Sequence, residues 1–137
     1  MSLIIWRDDL SVAVPEMDAQ HKRLIALINN LHAAMRRGRG KEVVGSILEG
    51  LAQYTISHFH KEEELMERAG YPKLASQRIQ HEAFVKRIME FQEAFESGRQ
   101  TVSLDIMTFL RDWLTHHIRE EDKAYGPYLA GRTTTDV

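Results

Sequence analysis

The sequence predicts an all-α fold, an up-down-up-down antiparallel four-helix bundle with an extended N-terminal arm. Three observations carry this. Apolar residues recur at steps of three and four through most of the 137 residues, the 8 glycines and 3 prolines are few and clustered between those stretches, and strand-like alternation is weak throughout.

The first helix is expected over residues 18–37. Asp18 is a candidate N-cap, Leu24, Ile28, Leu31 and Met35 form one stripe, and Arg36-Arg37-Gly38-Arg39-Gly40 supplies the turn. The second is expected over 41–68, with Val44, Ile47, Leu48, Leu51 and Leu65 facing inward. Ala69-Gly70-Tyr71-Pro72 then ends it: the glycine suits a left-handed cap and the proline suits the first turn of the next helix. So short a connection makes neighbours antiparallel. The third helix, 72–97, has the cleanest period, through Leu74, Gln77, His81, Phe84, Ile88, Phe91 and Phe95 to Ser97-Gly98. The fourth, 103–125, follows a candidate cap at Ser103, carries Ile106, Leu110, Trp113 and Leu114, and stops at Gly126-Pro127. The segment before Asp18 is read as an arm that packs Trp6 on the bundle, and Arg132 to Val137 as a loose tail.

One domain, 1–137, is expected, since a chain of this length buries a continuous core without staples. Lysine and arginine total 18 against 20 acidic residues, a net charge of −2, with no long basic block. Nucleic acid and anionic membrane are therefore poor partners. No run approaches the roughly 18 apolar residues of a membrane span, and the stretch Met1 to Trp6 lacks the parts of a signal peptide. A cytoplasmic location is expected. The absence of cysteine excludes disulfides, thiolate zinc sites and iron-sulfur clusters, so any metal must be held by nitrogen and oxygen.

Ionisable residues interrupt the apolar stripes, which is costly unless something pairs with them. His21 lies on the line of Leu24 and Ile28; His58 and Glu62 continue the line of Leu51 and Leu65; His81 falls between Leu74 and Phe84; His117 follows Leu110 and Trp113. His58 and Glu62, four apart, point the same way one turn apart, the spacing two ligands of one metal need. In an antiparallel bundle the starts of helices one and three share an end with the finishes of helices two and four. His21, the pair His58 and Glu62, the pair Gln77 and His81, and the stretch His117 to Asp122 all fall at that end. Imidazole and carboxylate without sulfur suit iron, zinc or manganese, and carboxylates able to bridge favour two metals. Other histidines fit less well. His32 is about 16 Å further along the first helix than His21, and is expected at the bundle edge. His60 and His116 point about 200° and 100° away from His58 and His117, and Glu63 and Glu64 are expected on an exposed face.

The segments Met17-Asp18-Ala19-Gln20-His21, His58-Phe59-His60-Lys61-Glu62-Glu63, Tyr71-Pro72, His81-Glu82-Ala83-Phe84 and Trp113-Leu114-Thr115-His116-His117-Ile118 through Asp122 resemble the bacterial hemerythrins. The resemblance runs from Trp6 to Tyr125. It implies an O2-binding protein, for storage, transport or sensing and not an enzyme, with two non-haem irons bridged by carboxylate and by an oxo or hydroxo group. It implies His21 and His58 on one iron, His81 and His117 on the other, Glu62 and Asp122 as bridges, and Phe59, Trp113, Leu114 and Ile118 lining the O2 pocket. Gln77 stands where the family has a further histidine, a weak or vacant ligand position. The alternative is a di-iron enzyme reacting with peroxide, O2 or nitric oxide because Gln77 leaves one iron under-ligated. Asp122 is five residues after His117, about 140° around a regular helix, whereas Glu121 is about 40° away. Family matching selects Asp122, which a π-bulge would turn inward; Glu121 is the physical alternative.

Overall fold

The computed structural model describes residues 3–38, 40–98 and 104–129. Long helices α1 (Pro15–Arg36), α2 (Lys41–Ala69) and α3 (Leu74–Glu96) are followed by α4 (Leu104–His116), a six-residue π-helical segment (His117–Asp122) and α5 (Lys123–Leu129). α1 packs on α2, α2 on α3, α4 on α1, and α5 on α2, around one apolar core. The four-helix bundle expected from the periodicity is the fold observed. Among the described residues, no helix is long and apolar enough to cross a membrane.

The α2 terminus shows how local sequence sets the geometry. Gly70 adopts φ 69°, its N–H donates to Glu67 O at 3.1 Å, and the Tyr71 N–H donates to Met66 O at 2.9 Å. This pair of bonds satisfies carbonyls that a helix end otherwise leaves bare, and only a glycine takes that backbone conformation without strain.

Several expected boundaries move, each for a local reason. α1 begins at Pro15, whose fixed φ suits the first helical position. Asp18 is therefore inside the first turn and is not the N-cap; its carboxylate accepts from the Ser11 hydroxyl at 2.6 Å and the Val12 N–H at 2.8 Å. Pro72 is outside α3, in the turn Pro72-Lys73 that precedes Leu74. Gly126-Pro127 does not end the last helix, which runs to Leu129. Pro127 lies inside α5, where it supplies no backbone N–H. Ser103, Arg39 and the tail Arg132 to Val137 lie outside the described residues.

The arm is pinned to the far end of the chain. It contains a 3-10 turn, Asp8–Leu10, and buries Ile4, Leu10, Val12 and Val14. Trp6 is partly buried against the core, with the Lys22 ammonium 4.9 Å above its ring. Lys123 Nζ donates to Asp9 O at 2.9 Å, and Arg119 pairs with Asp9 at 3.1 Å. At Gly126 a Cβ would lie 2.4 Å from Val12 O, so arm and α5 meet backbone to backbone.

Candidate metal centre

α1, α2, α3 and the π-helical segment each send buried polar side chains to one place. His21, His58, Glu62, Gln77, His81, His117 and Asp122 are all at most 2% exposed. The π-helix explains the last of these. A helix wound more loosely, with i to i+5 bonding, turns a residue five positions on toward the same face, so Asp122 joins His117 inside. Glu121 is left half-buried outside the cluster, accepting from Gln80 Nε2 at 2.9 Å.

Two groups of donor atoms result: His21, His58 and Glu62 in one, His81, His117 and Asp122 in the other, each with its atoms within 4.8 Å of one another. The carboxylates join them. Glu62 lies 3.0 Å from His21 Nε2 and 3.3 Å from His58 Nε2, and 3.4 Å from His81 Nε2 of the other group. Asp122 lies 3.1 Å from His117 Nε2 and 3.2 Å from His21 Nε2.

Around this centre, oxygen acceptors fix three of the rings. His58 Nδ1–H donates to Gln20 Oε1 at 2.7 Å, His81 Nδ1–H to Glu63 Oε2 at 2.8 Å, and His117 Nδ1–H to Gln80 Oε1 at 2.9 Å. A proton held on Nδ1 leaves the Nε2 lone pair pointing inward, the tautomer a metal requires. Gln20, Glu63 and Gln80 are not among the site residues expected from sequence, and Glu63 is half-buried instead of on an open face. Tyr125 is a further unexpected partner: fully buried, its hydroxyl donates to Glu62 Oε2 at 2.5 Å.

Charge explains why such a cluster is tolerated. Burial opposes ionisation of Glu62, but His58 and His21 outweigh it and hold the carboxyl well below its usual range. Burial and the Glu62 charge oppose Asp122, and His117 and His21 overcome both. For His21, burial works against the proton, yet Asp122 and Glu62 raise the ring to about 10. Burial lowers His81, whereas His117 is raised because Asp122 outweighs burial. Burial and the negative charge of Glu62 push Tyr125 well above the ordinary phenol value.

The donor set fits a cation. Among the described residues, His81 Nε2, His117 Nε2, Glu62 Oε1 and Gln77 Oε1 are buried without a hydrogen bond, although His81 Nε2 lies 3.4 Å from Glu62 Oε1 and His117 Nε2 3.1 Å from Asp122 Oδ1. Groups that converge without aligning a donor on an acceptor are arranged for a shared positive charge.

Aromatic rings wall the histidines of the second group. Phe59 stacks on His81 at 3.8 Å and 2°, and Trp113 on His117 at 4.4 Å and 12°. Leu114 and Ile118, next in sequence to Trp113 and His117 respectively, are buried. A surface groove of about 380 Å³, with Ile56, Phe59 and Val85 among its walls, reaches His81. His60 lines that groove and is exposed, as is His116; His32 is buried on α1 and belongs to neither donor group.

A family model described as "Hemerythrin HHE cation binding domain" matches residues 12–129. A bacteriohemerythrin of Stenotrophomonas maltophilia is 42% identical over 91% of this chain and 80% of its own. That of Methylococcus capsulatus is 34% identical over 95% and 99%. A crystal structure of wild-type hemerythrin superposes with a TM-score of 0.90 at 33% identity, covering 95% of this chain and 100% of that one. The bundle, the paired donor groups and these matches agree, and the chain belongs to the hemerythrin family.

Proposed function

We propose that the protein binds O2 reversibly at a di-iron centre, for storage, transport or sensing. His21 and His58 would hold one iron, His81 and His117 the other, and Glu62 and Asp122 would each offer carboxylate oxygens to both. The observation that carries this reading is that each carboxylate faces histidines of both donor groups, the arrangement two adjacent cations need. When bound, the iron pair supplies the coordination place and the electrons that O2 requires.

The chain's own residues do the rest. Gln20, Glu63 and Gln80 keep the rings in the ligating tautomer. Tyr125 hydrogen-bonds Glu62 at Oε2, the oxygen that also faces His21. Phe59, Trp113, Leu114 and Ile118 keep water and protons scarce, and a dry site favours release of O2 over its reduction.

Anaerobic loading with ferrous iron tests this. Two irons per chain are expected, with a visible absorption band appearing on addition of O2. His58→Ala and His117→Ala are each expected to bind fewer irons and lose the band. One iron at saturation, or zinc alone retained from iron-replete cells, contradicts the proposal. Steady consumption of O2 with release of peroxide would mark an enzyme instead.

A further inference from the structure

Gln77 is 1% exposed and lies one turn before His81 on the inward face of α3. The two ends of its amide are treated differently. Nε2 donates at 3.0 Å to Asp122 Oδ1, the same oxygen that lies 3.1 Å from His117 Nε2. Oε1 is buried and receives no hydrogen bond. A buried carbonyl oxygen without a partner is costly, and native folds rarely leave one.

The company Oε1 keeps indicates what satisfies it. Among the described residues, three of the other four buried side-chain atoms without a hydrogen bond, His81 Nε2, His117 Nε2 and Glu62 Oε1, belong to the two donor groups, and the Gln77 amide reaches the second group through Asp122 Oδ1. The amide shape alone would allow a half-turn exchanging oxygen and nitrogen. Oε1 would then face Asp122 Oδ1, two acceptor oxygens that repel each other unless a shared cation or a proton lies between them. In either orientation a cation is the partner that suits Oε1.

We infer that Gln77 is a metal ligand, through Oε1, on the side held by His81, His117 and Asp122. This rests on the di-iron reading and adds to it a neutral amide oxygen beside the second donor group. A neutral amide oxygen is a weaker donor than imidazole or carboxylate, so the metal it helps to hold is the more exchangeable for having this ligand in place of a histidine.

The test compares wild type, Gln77→Leu and Gln77→His, each loaded anaerobically with ferrous iron and challenged with a ferrous chelator, helix content being checked by circular dichroism. One of the two irons is expected to leave Gln77→Leu about 10- to 100-fold faster than wild type, and Gln77→His to restore slow release. Equal release from wild type and Gln77→Leu, with two irons bound in both, overturns this inference alone. Failure of the wild type to take up an iron pair overturns the di-iron reading as well. Should Gln77→Leu not fold, the crystal structure of the iron-loaded wild type decides: Oε1 at bonding distance supports the inference, and Nε2 or a water in that place overturns it.

Discussion

Gln20, Glu63 and Gln80 each sit one position from an inward-facing residue, His21, Glu62 and His81 respectively, and each reaches a histidine on another helix. One step along a helix is about 100° of rotation, which carries a side chain from the core line to the seam between helices. Replacing Gln80 by leucine should leave the fold intact and weaken metal binding on the His117 side by about 10- to 100-fold, measured by competition with a chelator. The inward residues were legible in sequence because ionisable groups on an apolar stripe stand out. Their seam partners were not, because a polar residue on a seam looks the same as one facing water; in sequence Glu63 is indistinguishable from an open-face residue for that reason. Tyr125 is hidden differently, standing in sequence as no more than the last residue of the expected fourth helix.

His21 gives a residue-scale test by pH. Its pKa is raised from 6.5 to about 10 by Asp122 and Glu62 against the opposing effect of burial. A raised value means that the ring's contribution to stability is complete below 6.5 and is lost as pH rises toward 10. Glu62 and Asp122, held below their ordinary range, contribute the reverse, losing their share as pH falls through their lowered values. The chain stripped of metal by chelation should therefore show a melting temperature that declines between pH 6.5 and 10 and again in acid. A flat profile above pH 6.5 would show that His21 does not carry the proton.

At the scale of elements, the π-helical segment and the arm act together. The π-turn brings Asp122 to the donors and sets the rotation of α5 that places Tyr125 on Glu62. The arm braces α5 from outside, where Val12 O approaches Gly126 too closely for any side chain. Gly126→Ala should cost about 1–3 kcal/mol in thermal or denaturant unfolding, the usual penalty for overpacking. A variant as stable as wild type would mean that this approach is not tight. The bulge could be anticipated from the five-residue spacing between His117 and Asp122. The role of Gly126 could not, because a glycine beside a proline reads as a helix end whether it breaks the chain or makes room for another segment. Asp18 follows the same logic, since a carboxylate near a helix start serves equally as a cap or as an anchor for the arm.

For the whole molecule, antiparallel packing converts four separate stripes into one centre. The helix starts at His21 and His81 meet the helix ends at His58 and His117, and Glu62 and Asp122 link the two groups. That convergence was readable from sequence once the topology was assumed, as were the core and the family resemblance. The bridging role of Glu62 and Asp122 was implied only by the family resemblance; the distances from each carboxylate to histidines of both groups are what support two metals rather than one. The most direct measurement is O2 uptake by the anaerobic, ferrous-loaded protein through repeated cycles of oxygenation and argon purging. One O2 per iron pair, fully recovered on purging with the visible band rising and vanishing each time, is the result expected of a reversible di-iron carrier. O2 consumed without recovery, or taken up by protein holding a single iron, would contradict it.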